Sequence, residues 1–257
     1  FFPDLGRTRT EFNNRLLARR LDENTVLSVE TSGTFNDFIA SQWLLQSRGY
    51  SVTKLPEVFY ARQADDLLPE TAPGLVSWTS EYRVGRYALA LDEITASERG
   101  YTFDAISQRA FGIGPGESIG AKLRAGGYTE DPLYRLDTRQ ELSLQTEAGP
   151  VKIQPFAVGR FTGYDNDFEE FSPEEDDELR TWGAAGVRLS STFQRVYDEA
   201  AAPILDIHRL RHIIEPNATL WAAGTNIDSS DLPIYDDGVE SLVDGPMARF
   251  GLTQVFQ

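Results

Sequence analysis

The sequence predicts an all-β chain: the wall of an antiparallel, up-and-down transmembrane β-barrel, incomplete, with roughly a dozen strands. Three observations predict it. First, Ala185, Val187, Leu189 and Phe193 alternate with Gly186, Arg188, Ser190, Thr192 and Gln194, which on a strand makes one oily and one wet face. Second, the alternation returns: Ile119, Ala121, Leu123 and Ala125 interleave with Ser118, Gly120, Lys122, Arg124 and Gly126, and Ala248, Phe250, Leu252 and Phe256 with Arg249, Gly251 and Thr253. Third, the runs are separated by Gly/Asp/Asn/Pro connections of alternating short and long length, the rhythm of a barrel with turns on one side and loops on the other.

The elements follow in order. Thr8 to Arg20 reads as a strand or a short helix, and Asp22-Glu23-Asn24 as a turn. Val26 to Thr31 is a strand. Phe38 to Gln46 has apolar residues at helical spacing, which makes a helical turn a real alternative there. Ser51 to Arg62 resumes as a strand, with Pro56 favouring an edge or a bulge. Leu75 to Leu91 carries two β-like runs joined near Gly85, and Tyr101 to Phe111 is a strand candidate. Glu117 to Gly126 is expected to pair with Tyr134 to Thr146, whose Arg135, Asp137, Arg139, Glu141, Ser143 and Gln145 share one face. Val151 to Tyr164, Trp182 to Tyr197, Leu205 to Ala222 and Met247 to Gln257 complete the set, with Asp165–Arg180 and Ala223–Pro246 as long loops.

Composition narrows the function. The net charge of -16 argues against nucleic acid and against a basic membrane-surface patch, both of which need clustered Lys and Arg. There is no cysteine, hence no disulfide framework and no thiolate chemistry. No run approaches the ~18 apolar residues of a membrane-spanning helix. A barrel needs only alternate residues to be apolar, because each strand satisfies its backbone through its neighbours. Both ends read as cut, so residues 1–257 are expected to be a single segment of a larger barrel domain.

No constellation assembles into an active site. The acidic run Asp165 to Glu178 lacks the register of a Ca²⁺ loop and reads as a solvated surface. His208 and His212 share a face at their spacing, but Arg209 and Arg211 beside them would repel a cation. Gly112 to Gly116 contains Pro115 and is followed by no Lys-Ser/Thr, so a phosphate-cradling loop is rejected. Ser118 sits in a G-x-S-x-G spelling but in an alternating run, not at a strand-to-helix elbow. No metal, cofactor or catalysis is expected. The charged face instead suits a water-filled lumen, with Lys122, Arg124, Arg135, Asp137, Arg139, Glu141 and Arg188 as its candidate wall.

A family resemblance enters with the last quarter. Arg211-His212-Ile213-Ile214-Glu215-Pro216, followed by Asp231-Leu232-Pro233-Ile234-Tyr235-Asp236, resembles the middle of the lipopolysaccharide-assembly barrel proteins of the outer membrane, the LptD/OstA family. There a strand with an Arg-His-x-x-Glu-Pro-like run precedes a loop with an Asp-x-Pro-x-Tyr/Phe-Asp-like run. Phe250-Gly251-Leu252-Thr253 looks like the strand that comes next, and Asn36-Asp37-Phe38 and Leu55-Pro56-Glu57-Val58 like upstream elements. The resemblance implies a central barrel fragment, without the family's periplasmic N-terminal domain or closing strands. It also implies insertion of lipopolysaccharide into the outer leaflet, with a plug lipoprotein, a periplasmic bridge protein and outer-membrane lipids as partners. Another porin or uptake barrel, or a soluble extracellular β-sandwich binding module, would show similar alternation.

Overall fold

A computed structural model describes residues 14–33, 49–166, 168, 178–199 and 209–257. The chain is all-β: one eleven-stranded antiparallel sheet in up-and-down order, not closed, with two short helices. The strands are β1 (Asn14–Asp22), β2 (Thr25–Gly33), β3 (Tyr50–Asp66), β4 (Val76–Leu91), β5 (Leu133–Leu144), β6 (Thr146–Ala148), β7 (Val151–Tyr164), β8 (Leu179–Ser191), β9 (Phe193–Tyr197), β10 (Leu210–Thr225) and β11 (Gly245–Phe256). β6 extends β5 across a break at Gln145, and β9 extends β8 across a break at Thr192. Helices α1 (Asp104–Phe111) and α2 (Ile119–Ala125) lie between β4 and β5.

Every rung pairs with its neighbours in sequence, so connections fall alternately at the two ends of the sheet. One end carries residues 23–24, 67–75 and 149–150 and the strand ends Tyr197 and Leu210; the other carries 92–132 and 226–244 and the strand ends Gly33, Tyr50, Tyr164 and Leu179. All the longest connections share one end, and both expected long loops are among them.

Local irregularities follow the residues. Pro56 lies where β3 carries one extra residue against both neighbours, between Lys54 and Glu57. A residue without an N–H is tolerated at such a bulge, where no ladder bond is owed. Pro216 of β10 likewise falls in the gap between the residues that pair with β9 (Leu210–Ile214) and those that pair with β8 (Asn217–Thr225). The Leu75–Leu91 stretch forms one continuous strand through Gly85, not two.

Two expected strands are helices, and this moves two candidate wall residues. Glu117–Gly126 does not pair with β5, whose partners are β4 and β7. Its centre is α2, capped by Ser118, whose hydroxyl accepts from the Ala121 N–H at 3.0 Å. Lys122 and Arg124 therefore stand on a helix outside the sheet: Lys122 donates to the Phe111 carbonyl at 3.0 Å, and Arg124 binds Glu93 and Glu130. The Arg124 guanidinium holds the Glu130 carboxyl below the usual carboxylate range. The run alternates apolar and polar, but Ile119 and Leu123 are also four apart, and both close on Gly49; that contact selects the helix. Tyr101–Phe111 is likewise helical from Asp104, ended by Gly112 in the left-handed region (φ 65°) with its N–H on the Gln108 carbonyl. The ambiguous Phe38–Gln46 segment, the Asn36-Asp37-Phe38 match, His208 and residues 167 and 169–177 of the acidic run lie outside the described residues.

The two faces of the sheet differ in kind. One carries Tyr60, Val84, Leu136, Phe161, Val187, Leu220 and Phe250, which the pairings place on the same side of β3, β4, β5, β7, β8, β10 and β11. All but the half-buried Val187 are solvent-exposed: Val84 is 48%, Leu136 58% and Phe250 75% exposed. The other face carries the charged residues, and it is the one that is covered. Loop 226–244 folds over it at the long-loop end, burying Val239 and packing Ile227, Leu232 and Tyr235 against Tyr87, Leu89, Leu133, Tyr164 and Phe168.

Strand packing is tight where Gly186 of β8 meets β10. A Cβ there would lie 2.3 Å from the Leu220 carbonyl oxygen and 2.6 Å from Trp221 Cβ, so the strands would have to part. Gly186→Ala is expected to destabilise by about 1–3 kcal/mol, the usual cost of overpacking. Gly224→Ala, with nothing within 4 Å of the new methyl, should stay within about 0.5 kcal/mol. Urea unfolding of the two variants side by side checks this; equal midpoints would refute the close approach.

Candidate functional site

The charged face is built from cross-strand rows. Because β4, β5, β7 and β8 pair in register, Arg83, Asp137, Thr162 and Arg180 line up across four strands. One step along, Glu81, Arg139, Arg160 and Trp182 do the same, and Gly85, Arg135 and Tyr164 form the row on the other side. A period of two sends every one of these side chains to the same face.

Three arginines of these rows are buried under loop 226–244. Arg135 donates to Glu240 Oε1 at 2.6 Å and to the Tyr87 hydroxyl at 3.0 Å, with its guanidinium 4.2 Å above the Tyr87 ring. Glu57, delivered by the bulge at Pro56, stands 3.7 Å away and also accepts from Tyr87 and from Lys54. Arg160 makes a forked pair with Asp137, Nε and Nη2 each at 2.8 Å, and Thr162 donates to the same carboxylate at 2.8 Å. Its remaining nitrogen reaches the Gly238 carbonyl. Arg180 spends its donors on loop carbonyls: Ile227 at 3.1 Å, Val239 at 2.8 Å and Leu242 at 2.7 Å. Charges so far from water persist only because each is paired or hydrogen-bonded.

The loop motif is what presents these acceptors. Asp236 Oδ1 accepts the Gly238 N–H at 2.8 Å, and the Asp236 carbonyl accepts the N–H groups of Val239 and Glu240. This turn aims Glu240 at Arg135, and Glu240 Oε2 in return takes the Asp236 N–H at 2.7 Å. Tyr235 is buried beside Tyr87, ring centroids 6.1 Å apart, and burial pushes its hydroxyl pKa up. Pro233 is buried and Asp231 half-buried on the same loop, while Tyr50 clamps the Ile234 backbone with its hydroxyl.

Of the candidate wall, Arg135, Asp137, Arg139, Glu141 and Arg188 do share the charged face, and they are linked. Arg139 binds Glu81 and Glu141, and Arg188 binds Glu141 at 2.7 Å while lying 4.0 Å over the Phe156 ring. Arg211, His212, Glu215 and Pro216 all sit in β10, and Asp231, Pro233, Tyr235 and Asp236 in the loop that follows it. The two halves are not brought together. Arg211 bonds Gln194, His212 stacks on Phe256 at 4.2 Å and Glu215 accepts from Thr192, all towards the short-turn end. Among the described residues no group of three His, Asp or Glu could hold a metal ion.

Glu57, Tyr87, Arg160, Tyr164, Arg180 and Glu240 belong to the cluster although no motif marks them. Arg160 was within reach of parity, sharing it with Val158 and Thr162 in a strand whose bounds the sequence defines. Glu240 had no such signal, because only the loop's fold brings it to Arg135. Compared with protein-family models and with curated proteins, the sequence matches none.

Proposed function

We propose that this chain is part of the wall of an outer-membrane β-barrel that carries lipopolysaccharide into the outer leaflet, a transport role without catalysis. The observation that carries it is the inversion of the two faces. The apolar face is exposed from β3 to β11, and the charged face is covered by loop 226–244 at the long-loop end. Water penalises that arrangement at about 25 cal/mol per Å² of apolar surface. Hydrocarbon outside and a polar lumen inside favour it.

Other features support the same reading. The sheet is meandering, its long connections share one end, and among the described residues both outer strands, β1 and β11, have an open edge that further barrel strands would pair. The lipopolysaccharide part rests on the sequence resemblance: its strand, loop and strand fall in β10, residues 226–244 and β11 in the expected order. An amphipathic glycolipid needs a polar passage for its sugars and an apolar route for its acyl chains, which a hydrophilic lumen bounded by lipid supplies. In this reading a plug lipoprotein sits against the lumen, and a periplasmic bridge delivers the cargo. A soluble sandwich would require a second sheet over the apolar face, and the described residues form one sheet.

A single-cysteine scan in membranes tests this. Cysteine at Leu136, Val187, Leu220 and Phe250 is expected to be quenched by a lipid-phase probe, and cysteine at Arg188 and Thr219 to react with a water-soluble maleimide. Absence of lipid quenching at all four apolar positions would remove the barrel reading.

A further inference from the structure

Between the charged face and the 238–243 stretch of the loop lies a cleft of about 420 Å³, within the size range of small-molecule sites. Arg139, Arg160, Arg188 and Arg249 line it together with Trp182 and Trp221, and among the described residues no carboxylate side chain does. In a chain of net charge -16 that local balance stands out.

The strands dictate its shape. Trp182, Ala184, Gly186 and Arg188 follow one another on the charged face of β8, so small side chains form a floor between an indole and a guanidinium. From Trp182 to Arg188 the strand rises about 20 Å. Across the ladder, Arg188 and Arg249 both pair with Thr219, which sets two cations on either side of one hydroxyl. Trp221 sits one step away on the same strand, over Gly186. Trp182 is held in place by its indole N–H, which donates to the Val243 carbonyl at 3.1 Å.

The cations are not equally committed. Arg160 is neutralised by Asp137, and Arg139 by Glu81 and Glu141. Arg188 shares Glu141 through one nitrogen only. Arg249 has no ion-pair or hydrogen-bond partner among the described residues, and it is exposed to the cleft. Two guanidiniums with donors to spare suit an oxyanion. Flat indole faces suit the apolar faces of sugar rings.

We infer that this cleft binds an anionic sugar, a short saccharide bearing phosphate or carboxylate, with Arg188 and Arg249 on the anion and Trp182 and Trp221 against the rings. The barrel reading enters only in naming the source, the phosphorylated headgroup of a glycolipid passing through the lumen. Loop 226–244 roofs the cleft, and its latch on Arg135 and Arg180 fixes the roof's height.

Calorimetry on the full chain in detergent tests the site with three probes: a glucosamine disaccharide carrying one phosphate, the same disaccharide without phosphate, and inorganic phosphate. The phosphorylated disaccharide is expected to bind at least about tenfold more tightly than either of the others, since each lacks half of the recognition. Arg249→Gln, at an exposed position, should weaken it about tenfold without altering the unfolding midpoint. Arg188→Gln should act in the same direction. No binding, equal binding of the neutral disaccharide, equal binding of inorganic phosphate, or indifference to Arg249→Gln would each overturn the site. The cysteine scan reads separately: lipid quenching with no saccharide binding removes only the cleft, and saccharide binding without lipid quenching removes only the barrel.

Discussion

Glu240→Ala is expected to destabilise the folded chain by about 3 kcal/mol and to free loop 226–244 from the charged face. Arg135 is fully buried, and its closest ion partner is Glu240 at 2.6 Å. Removing that carboxylate leaves a guanidinium that water cannot reach, and losing one partner of a buried pair typically costs about 3–5 kcal/mol. The lower end applies because Glu57 remains 3.7 Å from Arg135, although it is already shared with Lys54 and Tyr87. Glu240 also holds the Tyr164 hydroxyl at 3.0 Å and the Asp236 N–H, so the turn that shapes the loop loses its brace as well. Urea unfolding reads the stability, and protease cleavage within 226–244 reads the release. The double replacement Arg135→Met with Glu240→Met removes both charges and should regain most of the loss. A loop as protease-resistant in Glu240→Ala as in the parent would show that Arg135 and Glu240 do not latch it.

Asp137→Ala is expected to cost a similar amount, about 3–5 kcal/mol, by a different route. Asp137 is buried and accepts three hydrogen bonds, two from Arg160 and one from Thr162. Its loss leaves Arg160 with the Gly238 carbonyl as its one remaining acceptor. Here the damage is within the sheet, between β5 and β7, so the unfolding midpoint should fall while the loop stays protected until global unfolding. Asp137→Asn retains an oxygen for Thr162 or Arg160 and should cost less. Combining Asp137→Ala with Glu240→Ala should give a loss different from the sum, because Arg160 and Arg135 are both tied to the same loop. Strict additivity, measured by denaturant unfolding of the four chains, would mean that the two arginines are energetically separate.

Much of the sheet was legible because strand periodicity is local. Val151–Tyr164 is bounded as the alternation indicates, and Arg135, Asp137, Arg139 and Glu141 share one face as their parity requires. The helical insert was not legible for a related reason. In Ile119–Ala125 the period-two and four-residue patterns overlap, and the choice between them depends on Gly49, distant in sequence. Lys122 and Arg124 left the wall with that choice. The Asp231–Asp236 motif was visible as residues, but its job was not. It braces a turn whose product, Glu240, matters only once Arg135 is opposite it.

The sequence by itself determined the two-faced character of the sheet and two of its long connections, before β8 and before β11, while the longest, 92–132, was read as strands. Those are consequences of side-chain alternation and turn chemistry, which act over a few residues. Only the tertiary structure decided that the charged face is the covered one, that three arginines converge under loop 226–244, and that a cationic, tryptophan-walled cleft lies beside them. Ion pairs between residues as far apart as Arg135 and Glu240 depend on strand register and loop return, and no local pattern encodes either.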